Sequence, residues 1–244
     1  MNLLLLDSDE IDSEGRVLVC GRRAQHLHEV LGVKQGGEVR AGLRRGSIGT
    51  AEVVELRGDD IELRYRPTTE ATAQPAFDLI LALPRPKVLS RILQHAATLG
   101  VGRIDLVNAW RVDKSYFDSP RVATAAMDAD LILGCEQGRH TWVPELVVHR
   151  RFVEFCDHLP AEDPRLRLVA HPGSGGSLAE QGNLICHGRT VVAIGPEGGW
   201  IDRELATFER LGFVAVILSA SVLRSEAAVV AALAQLELVR SIAS

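Results

Sequence analysis

The sequence lacks the features that mark several common classes of protein. Its four cysteines are scattered and form no C-x-x-C pair, which argues against a disulfide framework and against a zinc site. No two histidines or acidic residues have the spacing of metal ligands, so we expect no metal. The leucine run in MNLLLLDSDE is too short for a membrane span and has no basic flank. These absences predict a cytoplasmic protein with reduced thiols and no membrane partner.

Positive charge and aromatic rings are also scarce. The formal net charge is -5, which excludes a protein that coats nucleic acid by bulk charge and leaves room only for a local basic patch. Aromatic residues make up 5% of the chain, so few side chains could stack on a nucleobase. Trp110, Phe117 and Trp200 are placed near the loops discussed below, and an ordinary position in the core explains each of them equally well.

Three familiar catalytic or nucleotide-binding motifs are missing as well. The chain has no G-x-x-x-x-G-K-[ST] phosphate loop, no G-x-G-x-x-G dinucleotide fingerprint and no G-x-S-x-G nucleophile elbow. The sequence therefore indicates neither an NTP nor NAD as a ligand, and it does not support a serine hydrolase.

The first part of the chain has the pattern of a small β-rich domain. Short stretches of alternating apolar and polar residues, among them RVLVC, EVRAGL and DIELRYR, are separated by glycine-rich turns. This pattern predicts a small β-barrel over residues 1–72. One helical turn is expected in AQHLHEVLGV, where Leu27, Val30 and Leu31 share a face. The small polar residues at 68–76 are typical of a linker.

Residues 73–244 follow the strand-helix-strand order of an α/β domain. Apolar strands are predicted in FDLILALP, RIDLVNA, LRLVAHP, TVVAIG and FVAVILS, and helices in KVLSRILQHAATLG, DRELATFERLG and SEAAVVAALAQLELVRSIA. Because the strands are apolar throughout rather than alternating, we expect a buried parallel sheet.

A glycine-rich turn follows the strand TVVAIG. The segment IGPEGG at residues 194–199 stands where a parallel strand ends, which is where α/β sheets usually bind ligands. Glycine has no Cβ, so its backbone can approach a ligand closely or adopt a positive φ, and we expect Gly198 to need this freedom. A tight connection that serves only packing is the alternative.

A second polar feature, LSASVLRSEAA, lies about two dozen residues further along. We expect Ser225 to cap the final helix and Glu226 to lie in its first turn, where the helix dipole favours a carboxylate. Capping explains these two residues but not Arg224, which therefore remains a candidate for a functional role.

Several segments together resemble one family. AIGPEGGW, LSASVLRSEAAVVAALA, LGVGRIDLVNAWR and GCEQGRHTWVPEL are similar to the RsmE family of ribosomal RNA small subunit methyltransferases, within the SPOUT superfamily, and the similarity covers essentially the whole chain. It implies an α/β fold: a SPOUT-type parallel sheet with a C-terminal trefoil knot, preceded by a PUA-like β-barrel that binds RNA. It also implies a homodimer that uses S-adenosylmethionine to methylate uridine N3 in 16S rRNA, as RNA or within the small ribosomal subunit.

The resemblance assigns residues to the cofactor and to the RNA. Arg111 and Arg139 match family positions that would contact the RNA. Arg22 and Arg23 are basic residues of the barrel that could contact its phosphates, and a solvated face of mixed charge is the alternative for them. The cofactor would be bound by Ala170, His171, Pro172, Ile194, Gly195, Pro196, Gly198, Gly199, Leu218, Ser219, Val222 and Leu223.

The implied reaction suggests two catalytic residues. Uracil N3 carries a proton, so this proton must be removed, or the charge that develops on the ring oxygens must be stabilised. Arg224 is the candidate cation, because its guanidinium stays protonated and can contact two acceptors at once. Glu197 either orients that arginine or acts as the base, and the sequence does not separate these roles.

The sequence also departs from the family pattern. Ser219, Ser221 and Ala227 replace a glycine, an arginine and a threonine, and His95 and Thr98 stand where lysine and glutamate are usual. The cofactor positions are kept while RNA-facing positions differ, so the target nucleotide stays open. Two alternatives follow: a SPOUT methyltransferase that acts on a different RNA, and a non-catalytic RNA-binding protein of the same fold.

Overall fold

The structure, a computed structural model, describes residues 2–71, 73–160, 163–173 and 175–242. Within these ranges no helix is both long and apolar enough to cross a membrane. No cluster of three or more histidine, cysteine or acidic side chains in the same ranges is arranged to hold a metal ion. The four cysteines are free thiols, and burial raises the pKa of the Cys156 thiol to about 12.

These residues form two compact units. The N-terminal unit comprises Met1–Gln74 and Ile132–Val143, and the C-terminal unit comprises Pro75–Leu131 and Pro144–Ser244. The sequence pattern assigned 132–143 to the second domain, but in the structure these residues pack with the N-terminal unit. The cause is long-range hydrogen bonding, since the Thr141 hydroxyl donates to the carbonyl of Gly46 at 2.9 Å.

The first segment of the N-terminal unit contains, among its described residues, β1 (Leu4–Leu6), β2 (Arg16–Val19), α1 (Gly21–Glu29), β3 (Glu38–Leu43), β4 (Ser47–Arg57) and β5 (Asp60–Ala71), with a 3-10 turn at Ser8–Glu10. The last residues of the helix Thr124–Gly138 also belong to this unit. The strands form one sheet in the order β1-β3-β4-β5-β2. β1 is parallel to β3, and the other neighbouring pairs are antiparallel. Leu27 of α1 is buried with Ile61 and Leu63 of β5 in the core of this unit.

Two local predictions for this unit need correction. The helix spans Gly21–Glu29, so it starts and ends earlier than the apolar pattern indicated. Residues 68–71, predicted as linker, continue strand β5, because their backbone pairs with β4 as far as Ser47 opposite Ala71. Closure of the five-stranded sheet into a barrel stays a prediction.

The C-terminal unit is built on a seven-stranded sheet: β6 (Phe77–Ala82), β7 (Val101–Val107), β8 (Glu145–His149), β9 (Leu166–Ala170), β10 (Gly176–Ser177), β11 (Thr190–Ile194) and β12 (Val214–Ile217). Its order is β10-β12-β9-β11-β6-β7-β8, and every neighbouring pair is parallel. All residues of β6 and β11 are buried, as expected for central strands of a covered sheet. The predicted α/β fold with a parallel sheet is therefore confirmed.

Helices follow most strands of this sheet: α2 (Pro86–Thr98), α3 (Thr124–Gly138), α4 (Phe152–Asp157), α5 (Gly182–His187), α6 (Asp202–Arg210) and α7 (Ser225–Ile242), with 3-10 turns at Lys114–Asp118, Pro120–Val122 and Leu178–Gln181. α2 has proline at its first position and buries Leu89, Ile92, Leu93 and Ala96, which recur at helical spacing. α7 packs against α2 and α5.

An ion-pair network holds the amino edge of the sheet. Asp78 of β6 is 1% exposed and accepts hydrogen bonds from Arg165 at 2.8 Å and from Arg189 at 2.9 Å. Arg165 also binds Asp163 at 2.7 Å. Burial alone would raise the pKa of Asp163, but its hydrogen bonds and charge interactions with Arg165 and Arg167 lower that pKa to about 2. The network thus compensates the burial of Asp78 and lies opposite the edge where the loops described next begin.

Candidate functional site

The carboxyl edge of the parallel sheet contains a cavity of about 290 Å³. This volume is at the lower end of the range typical of small-molecule pockets, about 300 to 1,000 Å³. Loops that follow β7, β9, β11 and β12 contribute to its walls, together with the start of α7. All twelve predicted cofactor residues line it: Ala170, His171, Pro172, Ile194, Gly195, Pro196, Gly198, Gly199, Leu218, Ser219, Val222 and Leu223.

The turn after β11 shows where glycine is required. Gly199 has φ of 74°, a left-handed conformation that residues with a side chain avoid. A Cβ at Gly195 would lie 3.2 Å from the indole of Trp200. Gly198 does not have positive φ, contrary to the sequence-based expectation, and a Cβ there would meet Cδ of Arg111 at 2.9 Å. Gly199 is therefore needed for its backbone conformation, and Gly195 is needed because the indole of Trp200 packs closely against it.

The aromatic ring of Trp200 fixes the far side of this turn. Trp200 is 3% exposed, and its ring lies 5.0 Å from that of Phe208 in an edge-to-face arrangement. Phe152 of α4 packs on both rings, with centroid distances of 6.0 Å to Trp200 and 5.4 Å to Phe208. This cluster joins the cavity wall at Trp200 to the buried face of α6, which carries Phe208.

Two ring nitrogens at the cavity are buried without a hydrogen-bond partner. They are Nδ1 of His171 and Nε1 of Trp200, and neither has a partner among the residues that the structure describes. A buried polar atom of this kind is costly unless something satisfies it. Both residues line the cavity, so a ligand with polar atoms could provide the missing partners.

The start of α7 closes another side of the cavity. The hydroxyl of Ser225 donates to the carbonyl of Gly195 at 3.2 Å, which joins this helix to the glycine turn. The predicted role of Ser225 as the capping residue is wrong. Arg224 occupies the cap position, because its carbonyl accepts the amide of Ala228 at 2.8 Å. Glu226 lies in the first turn as predicted and pairs with Arg91 at 3.2 Å.

The two candidate catalytic residues occupy different positions. Glu197 lines the cavity, is exposed, and accepts the backbone amide of Arg85 at 3.3 Å. The side chain of Arg224 is exposed and does not line the cavity, although its neighbours Leu223 and Ser225 do. Arg224 has no side-chain hydrogen bond or ion pair with any described residue, so its guanidinium is available to a ligand.

The arginines expected to contact RNA are in different situations. Arg111 lines the cavity, and its guanidinium donates to the carbonyl of Gly198. In the N-terminal unit, Arg22 pairs with the buried Glu136 at 3.0 Å, and Arg23 binds both oxygens of Glu10. Arg139 is exposed and has φ of 61°. Arg23 in particular is committed to an internal ion pair.

The positions that depart from the family pattern are mostly at the surface. His95 and Ala227 are exposed, and the hydroxyl of Thr98 donates to the carbonyl of Gln94 at 2.8 Å. Ser221 lines the cavity, and its amide donates to the Ser219 hydroxyl at 3.1 Å. The two serines therefore shape the loop that follows β12.

Sequence reasoning missed one buried residue beside the cavity. Glu204 is 5% exposed and accepts the amide of Trp110 with Oε1 at 2.8 Å and that of Ile201 with Oε2 at 2.9 Å. A glutamate near the start of a helix is a common capping pattern, which could have indicated the bond to Ile201. No local signal predicts the bond to Trp110, which is 94 residues away in the sequence.

The chain matches the family model described as an RNA methyltransferase domain over residues 72–237. The chain belongs to this RNA methyltransferase family. It is 29% identical to the ribosomal RNA small subunit methyltransferase E of Treponema pallidum, covering 96% of this chain and 90% of that protein. The protein of that name from Borreliella burgdorferi numbered E 1 is 23% identical, covering 95% of each chain.

A solved structure supports the same relationship. The crystal structure of a ribosomal RNA small subunit methyltransferase E from Neisseria gonorrhoeae, bound to S-adenosyl methionine, matches with a TM-score of 0.81 and 25% identity. The match covers 98% of this chain and 97% of that one. The family resemblance recognised in the sequence motifs is confirmed.

Proposed function

We propose that this RNA methyltransferase uses S-adenosylmethionine to methylate N3 of a uridine in 16S rRNA of the small ribosomal subunit. One observation carries the proposal: the twelve residues expected to bind the cofactor, which come from three separate loops, line a single cavity at the carboxyl edge of the sheet. The relatives named ribosomal RNA small subunit methyltransferase E support the choice of RNA.

The cavity has the chemistry that a nucleoside-containing cofactor requires. Ile194, Leu218 and Leu223 provide apolar surface, while the glycine turn and the loop after β12 provide backbone amides and carbonyls. The ring nitrogens of His171 and Trp200 are polar groups that still need partners. S-adenosylmethionine supplies an electrophilic methyl group when bound. We therefore assign these walls to the cofactor, which in the Neisseria protein is present in the crystal.

Residues of this chain would accept the N3 proton of the uridine and stabilise the negative charge that develops on its ring. As the N3–methyl bond forms and the sulfur–methyl bond breaks, the N3 proton must leave. Glu197 lies in the cavity wall and its carboxylate can accept that proton, directly or through water. Arg224 can stabilise the negative charge on the uracil oxygens, since its guanidinium is exposed beside two residues of the cavity. The remaining contribution is orientation of two reactants in line, worth up to about 7 to 11 kcal/mol in well-oriented systems.

The finer structural features remain part of the proposal. The resemblance supports a PUA-like N-terminal barrel, a trefoil knot around the cofactor loops and a homodimer in the cytoplasm. Val229, Ala232, Leu233 and Leu236 of α7 are buried within its own chain, but Leu238 and Ile242 are 57% and 75% exposed. These two residues are available for a subunit interface. Sedimentation that gives only monomer at micromolar concentration would remove the dimer.

The function is tested by mass spectrometry of ribosomal RNA from a deletion strain and from the complemented strain. Loss of one 3-methyluridine from 16S rRNA, with recovery on complementation, is the expected result. Unchanged 16S rRNA from the deletion strain would favour a methyltransferase that acts on a different RNA. Calorimetry with S-adenosylmethionine separates the third possibility, because a non-catalytic RNA-binding protein need not bind the cofactor.

A further inference from the structure

We propose that the indole of Trp110 is a stacking platform for a nucleobase of an unpaired RNA strand, next to the base that enters the cofactor cavity. This inference rests on the proposed function and deepens it, because it assigns a positioning residue for the RNA. Trp110 is not among the residues that line the cofactor cavity.

Trp110 is unusual among the aromatic residues of the chain. The sequence has eleven Phe, Tyr and Trp residues, all of them described by the structure, and the other ten are buried or partly buried. Trp110 is 79% exposed. Leaving an indole in water forgoes the large stabilisation that its burial would provide. A single largely exposed ring in a chain with few aromatic residues therefore indicates a role outside the core.

The exposure is not a result of loose backbone. Trp110 and Arg111 occupy the two central positions of a turn closed by a hydrogen bond from the amide of Val112 to the carbonyl of Ala109 at 3.0 Å. Ala109 and Val112 are 5% and 7% exposed, so both ends of the turn are packed into the protein. The amide of Trp110 is itself held by the buried carboxylate of Glu204. The protein fixes this turn and presents the ring at its tip.

The same turn contributes one residue to the cavity wall. Arg111, adjacent to Trp110, lines the cavity and donates to the carbonyl of Gly198. Consecutive Cα atoms are about 3.8 Å apart, so the base of the indole lies within one residue of the cavity wall. The ring itself does not line the cavity, so we assign it to the neighbour of the base that enters the cavity and not to that base.

The charges around Trp110 favour a nucleotide over an apolar partner. Arg111 has no carboxylate partner among the described residues, and Lys114 follows on the same loop. The nearest acid along the loop, Asp113, accepts the amide and the hydroxyl of Ser115. A ring beside cations that have no carboxylate partner among the described residues is the composition of single-strand nucleic acid sites, where bases stack and phosphates pair with positive charge. A hydrophobic protein interface would instead need a contiguous apolar patch, whereas the exposed residues that follow Trp110 along the chain are the charged Arg111, Asp113 and Lys114.

The test compares Trp110→Ala with Trp110→Phe on small-subunit RNA. Stacking on a base is worth about 1 to 3 kcal/mol, so the alanine variant is expected to raise KM for the RNA by about 5- to 150-fold. Its kcat and its affinity for S-adenosylmethionine should stay at the wild-type values. Trp110→Phe keeps a ring and should recover most of the RNA affinity. Leu184→Ala, which removes another exposed apolar side chain of the C-terminal unit, is the control and should change none of these quantities.

Tryptophan fluorescence gives a second readout that does not depend on activity. RNA should quench the emission of the wild type, and Trp110→Phe should lose most of that quenching because Trp110 is the most exposed of the three indoles. Two results together would overturn the proposal: a wild-type KM for the alanine variant, and a wild-type emission that RNA leaves unchanged. Dissociation of a dimer by Trp110→Ala without any change in RNA affinity would overturn it in favour of a subunit interface. A wild type that binds RNA with Trp110 quenching but never methylates it would refute the proposed function alone.

Discussion

The buried carboxylate of Glu204 accepts the backbone amide of Trp110 at 2.8 Å. Its second oxygen accepts the amide of Ile201 at 2.9 Å, so one side chain holds the loop after β7 and the start of α6 together. The loop after β7 carries Arg111, and the start of α6 follows the glycine turn of the cavity. Each of the hydrogen bonds involves a charged acceptor, the class that contributes most to stability.

Replacement of this carboxylate should weaken both stability and RNA binding. Glu204→Gln keeps the shape, but its amide nitrogen is a donor, so only one of the two backbone amides retains an acceptor. We expect the free energy of unfolding to fall by about 1 to 3 kcal/mol, and KM for the RNA to rise as the Trp110 turn loosens. Chemical denaturation and steady-state kinetics measure the two effects.

The matched control for this experiment is Glu209→Gln on the same helix. Glu209 is exposed, and we expect its replacement to change stability by less than about 0.5 kcal/mol. A Glu204→Gln protein as stable as the control would show that the bridge does not contribute.

The hydroxyl of Ser225 should contribute to the shape of the cavity. Ser225→Ala removes its hydrogen bond to Gly195, and we expect a loss of about 1 kcal/mol in stability and severalfold weaker binding of S-adenosylmethionine by calorimetry. Ser241→Ala removes a similar bond, to the carbonyl of Leu238, at the exposed end of the same helix. Equal effects of the two variants on cofactor binding would contradict the assignment of Ser225 to the cavity.

The two glycines of the turn should respond differently to alanine. At Gly199 the Cβ meets no atom within 4 Å, but the positive φ costs about 1 to 2 kcal/mol, so Gly199→Ala should lower the melting temperature. At Gly198 there is no such strain, and Gly198→Ala should displace the side chain of Arg111 instead. We expect the second variant to keep its melting temperature and to lose RNA affinity. The opposite pattern in thermal melts would refute this division.

Replacement of Arg224 by lysine keeps the charge but loses the planar guanidinium. If Arg224 stabilises charge on the uracil ring, Arg224→Lys should reduce single-turnover methylation by the equivalent of about 2 to 4 kcal/mol and leave cofactor affinity nearly unchanged. Because the side chain has no partner among the described residues, melting temperatures should also stay the same. A stable lysine variant with the wild-type rate would leave Arg224 without this role.

The ion-pair network at the amino edge predicts an acid-dependent loss of stability. The pKa of Asp163 is lowered from 3.8 to about 2 in the folded protein, so its contribution is complete above pH 4 and is lost as the pH falls toward 2. Asp163→Asn should be less stable than the wild type at pH 7, and the difference between them should shrink between pH 4 and pH 2. Parallel curves for the two proteins over that range, in urea titrations, would contradict the assignment.

Much of the fold could be predicted from local patterns. The apolar runs of β6, β7, β9, β11 and β12 predicted buried parallel strands, because side chains covered on both faces leave no polar alternation. The predicted burial is confirmed for every residue of β6 and β11. It is wrong for much of β12, where Val216 is buried but Val214 is 40% exposed. Weak or short segments escaped the same reasoning. The residues of β8 are only partly buried at the sheet edge, and β10 has two residues. In α1, Leu27 is buried as the pattern indicated, while Val30 and Leu31 are 65% and 47% exposed because the helix ends before them.

The sequence by itself determined the class of the protein and the position of its candidate site along the chain. The motifs IGPEGG and VLRSE identified the family, since their residues and spacing are local properties of the chain. Tertiary structure alone decided which side chains act together. The bond from Trp110 to Glu204, the contact of Arg111 with Gly198 and the placement of 132–143 with the N-terminal unit all join residues far apart in sequence. Such contacts depend on how the sheet orders its strands, and no periodicity of 2 or 3.6 residues encodes that order.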